Sequence, residues 1–255
     1  MRLNPIYSLV FLLLTTFALC RNSNIISSGE KEINILVFTK TNGYRHASIP
    51  SGLKMMDSLG SANGWNIIAT EDSLYFTTEN LNHIEVIIFL NTSGQILGDK
   101  EKSAFEDFIR KGGGFVGIHA ASDTEYDWPF YSSLIGAHFK SHPEIQVATL
   151  YVNKSTGHPS VLHFADTIVR KDEWYDFRYP VGDHITVLIE IDENSYQGGS
   201  MGSYHPISWY HPFEGGRVFY TAMGHIDFVY SDEDFIRHIE GAIRWASDLI
   251  ESGLE

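Results

Sequence analysis

The chain has 255 residues, enough for one large domain or two small ones, and its 43% hydrophobic and 20% charged content is that of a folded protein with a sizeable core. Its formal charge of −14 opposes phosphate backbones and anionic membrane surfaces, which excludes nucleic acid as an expected partner.

After Arg2, residues 7–18 are mostly apolar and lead to Cys20. That run is short of the roughly 20 residues needed to span a bilayer and has the layout of a secretory signal. The expected organisation is a signal peptide over residues 1–19, a polar tether over residues 20–31, and one domain over residues 32–251. Phe17-Ala-Leu19 before Cys20 resembles a bacterial lipoprotein cleavage box, although Leu19 departs from the small residue usual there. The expectation is export to the periplasm or cell surface, with membrane attachment only through a lipid on Cys20. Cys20 is the sole cysteine, so the mature chain has no internal disulfide.

Residues 33–38 (INILVF) are a nearly continuous apolar run, the pattern of a strand buried on both faces. Ser48-Ile-Pro50 then opens a helical pattern to about residue 59, with Ser48 as the expected N-cap and Pro50 in the first turn. Residues 65–70 and 84–90 read as the second and third strands. Residues 99–111 place Ala104, Phe105, Phe108 and Ile109 on one helical face, with Asp99 as the expected cap. Gly112-Gly-Gly114 ends that helix, and residues 115–118 form a fourth strand.

This alternation with short connections predicts an α/β fold: an open, mostly parallel sheet with helices on both faces, three-layered and flavodoxin-like. Ligands in such sheets bind beyond the carboxyl ends of the strands. Residues 39–46, 91–94 and 119–123 are therefore expected to be neighbours. The second half is less regular, with extended segments near residues 144–152, 185–191 and 217–221 between loops rich in aromatics and histidine. It reads as strand-and-loop insertions in the same domain. A final amphipathic helix is expected over about residues 232–250, burying Phe235, Ile236, Ile239 and Ile243.

Residues 114–123 (GFVGIHAASD) carry an apolar strand into a small-residue turn with His119 at the bend, the layout of a nucleophile elbow. Histidine there suits an acid, a base or a metal ligand, and equally a group that only holds the turn. Residues 216–225 repeat the logic, ending at His225. All 12 histidines lie beyond residue 32. Four stand in His-Pro pairs, at His142, His158, His205 and His211, where proline keeps the histidine backbone extended. His158 and His211 are expected to be loop-stiffening pairs with solvated rings. Asp172-Glu-Trp-Tyr175 sets two acids beside two aromatics. That pattern fits a general acid with a raised pKa, a sugar-stacking surface, or a solvated acidic turn. Gly112-Gly-Gly114 precedes a strand rather than a helix, so it is no phosphate cradle.

Taken together, several segments resemble the ThuA-like family, named for trehalose utilisation. They are Thr39-Lys-Thr-Asn-Gly-Tyr-Arg-His46, Thr70-Glu-Asp72, Asn91-Thr-Ser-Gly94, residues 112–123, Trp128-Pro129, His142-Pro143, Asp172-Glu-Trp-Tyr175, His205-Pro-Ile-Ser-Trp209 and residues 216–225. The resemblance spans about residues 33–247. It implies a class I glutamine amidotransferase-like fold and a link to carbohydrate metabolism, of keto-sugars and glycosides. In the amidotransferase comparison His119 stands where a cysteine nucleophile would be, so thiol chemistry is absent. The resemblance puts Arg45, His46, Asp123, His142, Glu173, His205 and His225 on motif positions.

The expected catalytic set is therefore His119, Asp123, His142, Glu173, His205 and His225. The expected carbohydrate-binding set is Arg45, His46, Trp128, Trp174, Tyr175 and Trp209. Several histidines with one carboxylate would suit a divalent metal such as Zn²⁺, although the long-range spacing assigns no ligands. A carbohydrate-active enzyme and a non-catalytic surface sugar binder both fit this reading.

Overall fold

The structure is a computed structural model that describes residues 33–178 and 184–249. The expected signal peptide and tether lie outside the described residues, and the final helix, expected to run to about residue 250, ends at Ala246 with Ser247 as its C-cap. The described residues fall in one compact unit.

The first half follows the expected order. Strand β1 (Asn34–Phe38) leads to helix α1 (Ile49–Asn63), then β2 (Asn66–Thr70), a short helix α2 (Thr78–Leu81), β3 (Val86–Leu90), α3 (Asp99–Arg110) and β4 (Gly114–Ile118). Strands β3 and β4 are buried along their whole length, which accounts for their unbroken apolar sequences. Two caps differ from expectation. Gly98, not Asp99, is the N-cap of α3, and Asp99 lies inside the first turn, where its charge still favours the helix dipole. Ser48 stands at the N-cap of α1 but makes no side-chain cap bond. Its hydroxyl instead donates to the Gly224 carbonyl at 3.3 Å, tying the start of α1 to a distant loop.

The second half contributes α4 (Pro129–Ile135), β5 (Phe139–Ser141), β6 (Gln146–Val152), β7 (Thr167–Asp172), β8 (Asp176–Phe177), β9 (Thr186–Ile191), β10 (Pro206–Phe213), β11 (Gly216–Thr221) and α5 (Glu233–Ala246). Most of these strands extend the main sheet, whose order is β2-β1-β3-β4-β11-β10-β9-β6-β7. The strands from β2 to β11 are parallel, and β10, β9, β6 and β7 continue the sheet antiparallel. Strands β5 and β8 pair separately.

Helices cover both faces. On one, Phe105 of α3 and Tyr131 of α4 pack on Phe89 and Phe115. On the other, Gly52 of α1 lies against Leu90 and Tyr230, where a Cβ would come within 2.8 Å of Leu90. Chain order reverses between β1 and β3, so a crevice opens beyond the carboxyl ends of those strands. Backbone bridges Thr41–Ser93 and Gly94–Thr124 knit the loops at that edge.

Two histidines depart from expectation. His158 and His211 are buried, not solvated. His158 stacks on Tyr210 and Phe219 and bonds the Ser160 hydroxyl at 2.8 Å, and His211 sits within β10. Burial lowers their pKa values to about 3 and about 4, so both are neutral core groups.

Candidate functional site

Strand β4 ends at Ile118, and His119 takes a left-handed φ of 49° before a 3-10 turn over His119–Asp123. A non-glycine residue in that region costs on the order of 1–3 kcal/mol. Three contacts hold it there. The Nδ1 of His119 donates to the Ala222 carbonyl at 2.6 Å, the Tyr220 hydroxyl donates to the His119 carbonyl at 2.9 Å, and the Asn91 carboxamide oxygen accepts the next amide, Ala120, at 3.4 Å. When the ring is charged both nitrogens donate; when it is neutral, the bond at Nδ1 leaves the lone pair on Nε2. It faces His225 Nδ1 at 3.2 Å and Glu173 Oε2 at 3.5 Å.

Glu173 follows the last residue of β7, and His225 follows the turn after β11. Asp172 joins the two segments. Its buried carboxylate accepts the backbone N–H groups of Glu173 at 3.0 Å, Gly224 at 2.8 Å and His225 at 3.1 Å. Gly224 has φ 123°, which favours glycine, and a Cβ there would fall 2.9 Å from the Tyr230 hydroxyl. Desolvation raises the Asp172 pKa, while its contacts with His119 and the backbone donors oppose that.

The His225 Nδ1 lies 3.0 Å from Glu173 Oε2, and the His142 Nδ1 lies 3.1 Å from Oε1. Burial raises the Glu173 pKa, but the hydrogen bonds and charges of His119 and His225 outweigh it and hold the group well below the usual carboxylate range. Glu173 is therefore held as a carboxylate, and of the two neighbouring acids it is Asp172 that has the raised pKa expected of this segment. Burial works against charge on His225, yet the Glu173 hydrogen bond and charge raise its pKa overall. His46 packs edge-on against both His119 and His225. Burial and its two histidine neighbours lower its pKa to about 3.

One donor atom from each of His46, His119, Glu173 and His225 lies within 4.8 Å of the other three. The buried Nδ1 of His46 has no hydrogen-bond partner, and an orphaned buried polar atom carries a desolvation cost. Three imidazoles and one carboxylate suit Zn²⁺ or a neighbouring transition-metal ion better than Mg²⁺ or Ca²⁺, which prefer all-oxygen shells. The donor set fits a metal.

The adjoining pocket has a volume of about 290 Å³ and is lined by Tyr44, His46, Asp123, Phe139, His142, Glu173, Tyr175 and His225. Tyr175 stacks on His119 with ring centroids 4.2 Å apart. Asp123 Oδ1 accepts the Tyr126 hydroxyl at 2.5 Å. The Tyr126 ring is held in turn between His138 and the Arg178 guanidinium, 3.8 Å from its centroid.

Other expected site residues lie elsewhere. Trp128, Trp174 and Trp209 are buried, with indole N–H groups bonded to Glu106 and to the carbonyls of Gln146 and Ile135. They are core residues and present no face to a sugar. Trp209→Phe is expected to lower stability by about 1–3 kcal/mol through a lost hydrogen bond and lost packing, with ligand affinity unchanged. Urea melts beside a sugar titration check this. His205 is also buried; it bonds Glu193 at 2.8 Å through Nδ1 and the Tyr175 carbonyl at 2.8 Å through Nε2. Both ring nitrogens are committed, so His205 holds the Tyr175 backbone rather than facing the pocket. Arg45 pairs with Glu71 at 2.6 Å and is not among the residues lining the pocket. Tyr44, Phe139, Tyr126 and Asp172 belong to the site or its support, beyond the residues expected from sequence. The signal for Asp172 was its place in Asp-Glu-Trp-Tyr; Phe139 had none.

Among solved structures, the chain is similar to a ThuA-like protein from Bacteroides uniformis, with 25% identity over 84% of this chain and 91% of that one (TM-score 0.71). It is also similar to a ThuA-like protein from Parabacteroides merdae, at 18% identity over 85% of this chain and 90% of that one (TM-score 0.70). A β-galactosidase from Bacillus circulans shares the fold over 83% of this chain and 30% of its own, at 13% identity (TM-score 0.52). No curated protein matches the sequence. The model of the ThuA family, described as trehalose utilisation, matches residues 34–246. Spanning nearly all of the described residues, that match makes the chain a member of the ThuA family.

Proposed function

We propose that the protein is an exported enzyme acting on keto-sugars or glycosides at a metal-assisted histidine–glutamate centre. The observation that carries this reading is the convergence of four donor atoms, from His46, His119, Glu173 and His225, beside an aromatic-lined pocket at the carboxyl edge of the sheet. Family membership supports the carbohydrate class. The alternative, a sugar binder without catalysis, rests on a surface tether and on stacking by Trp128, Trp174, Tyr175 and Trp209; the three tryptophans are buried, and Tyr175 alone of the four lines the pocket.

His46, His119, Glu173 and His225 would hold the ion, which when bound supplies Lewis-acid polarisation of a substrate oxygen. His119 is set for this by its Nδ1 bond, which aims a lone pair from Nε2 into the site. His142 donates from Nδ1 to the Pro143 carbonyl at 2.9 Å, and that nitrogen lies 3.1 Å from the other oxygen of Glu173, bordering the carboxylate on the pocket side. Asp123, anchored on one oxygen by Tyr126, has the other for accepting and returning a proton on the substrate. Tyr44 and Phe139, which line the pocket, offer apolar surface to the C–H face of a sugar, while Tyr175 is buried against the rings of His119 and Phe139 and supports that wall.

The test is metal analysis of the purified protein, followed by a screen of glycosides and 3-keto-glycosides with and without divalent ions. The expected result is stoichiometric transition metal and turnover lost on chelation. Turnover by metal-free protein would reject the metal, and sugar binding without turnover would establish the binder.

A further inference from the structure

Accepting the carbohydrate reading, we infer that the site selects a single uncharged sugar ring and rejects phosphorylated and carboxylated sugars, with Asp123 as the residue that sets this choice. Size is the first observation. A pocket of about 290 Å³ stands at the lower edge of ordinary ligand sites, which run from roughly 300 to 1,000 Å³. It accommodates one ring, and the rest of a glycoside remains outside.

Charge is the second. Among the described residues, the lining contains two carboxylates, Asp123 and Glu173, and neither lysine nor arginine. Three neutral imidazoles, Glu173 and a divalent ion sum to a single positive charge, and Asp123 cancels it. No net positive charge then remains to offset the desolvation of a phosphate or carboxylate. The nearby cations lie outside the lining and have other partners. Arg45 is paired with Glu71 at 2.6 Å, Lys140 donates to the Ser200 hydroxyl at 3.2 Å, and Arg178 lies over the Tyr126 ring with its Nε on the Phe139 carbonyl at 3.1 Å. Sites that bind phosphate normally offer arginine forks, a lysine or a helix N-terminus, and the lining presents no such cation.

Tyr126 gives Asp123 its fixed place. The phenol donates to Oδ1, so the carboxylate is aimed by a ring that is itself packed on both sides. Removing the Asp123 charge leaves the zinc-loaded pocket net positive, and an anionic sugar then gains the attraction that it lacked.

The experiment is calorimetric titration of the zinc-loaded protein with methyl glucoside, 3-keto-glucose, glucose 6-phosphate and glucuronate. It is run on the natural chain, on Asp123→Asn and on Asp127→Asn. Asp127 makes the same charge change outside the lining, where its carboxylate accepts from Gln95 at 2.8 Å. The natural protein is expected to favour the uncharged sugars at least tenfold. Asp123→Asn should shift that ratio toward the anions by about tenfold, about 1.4 kcal/mol, and Asp127→Asn should leave it in place. Glucose 6-phosphate binding as tightly as the uncharged sugars in the natural protein would overturn the inference. So would an unchanged ratio in Asp123→Asn, or equal shifts in the two variants. In those three cases the carbohydrate reading stands. Binding of no sugar in any form brings down the carbohydrate reading as well.

Discussion

Glu173→Gln is expected to weaken divalent-ion affinity on the order of a hundredfold or more and to abolish turnover, while the thermal melt moves by only a few degrees. Glu173 is the one anion among the four clustered donors, and it meets three histidines. Oε2 lies 3.0 Å from His225 and 3.5 Å from His119, and Oε1 lies 3.1 Å from His142. Glutamine keeps the shape but removes the charge and turns one acceptor into a donor. A hydrogen-bond partner one shell away from a metal is typically worth ~10–100-fold in affinity, so a direct anionic donor stands at or above the upper end. The ion-free protein supplies a second readout. Burial alone lowers the pKa of His225, and the Glu173 contact is the chief reason it is raised. In Glu173→Gln that pKa should therefore fall, and NMR titration of the His225 ring reports it. Metal occupancy equal to that of the natural protein would remove Glu173 from the centre.

Much of the parallel half of the fold was legible because its signals are local. Strands β3 and β4 are apolar throughout, α3 shows its buried face at helical spacing, and the chain passes through His119 into a small-residue turn. In the antiparallel half β6 and β9 were legible as extended segments, but β7 and β10 were not. Strand β10 carries two prolines and a histidine in Pro206–Phe213, which read as loop, and its partners β9 and β11 supply the order that sequence lacks. The same limit applied to the site. His46, His119, Glu173 and His225 come from four separate segments, so their types were visible but their meeting depended on the strand order. The tryptophans misled for the opposite reason. Their apolar surface suits a sugar and a core equally, and burial decided for the core.

Acid should unfold the metal-free protein near pH 5, well above the range where carboxylates alone would do so. Burial lowers the pKa of six histidines, His138 and His163 among them, and the four with the largest shifts are held neutral: His46, His158 and His238 titrate at about 3, and His211 at about 4. Burial is the first cause in each case. In the unfolded chain each titrates near 6.5. Below about pH 6.5 the unfolded state therefore binds protons that the folded state refuses, and stability falls as pH falls. Each group contributes about 1.4 kcal/mol per pH unit until its folded pKa is reached. By about pH 4.5 the four together cost on the order of 10 kcal/mol, comparable with the roughly 5–15 kcal/mol of a whole domain. His225 acts in the opposite sense, since its raised pKa adds stability below about 6.5 that is lost as pH rises through the folded value. One such group does not offset four. Glu173 joins the acid loss only below its unfolded pKa, as pH falls toward its depressed folded value. Urea melts from about pH 8 to pH 4 in the presence of chelator should show a slope approaching three to four protons below about pH 6. His211→Leu should lower that slope by about one proton and move the acid midpoint down. Stability that stays flat from about pH 7 to pH 4.5 would mean that these histidines are protonated in the folded state, and that their burial is not the cause of acid sensitivity.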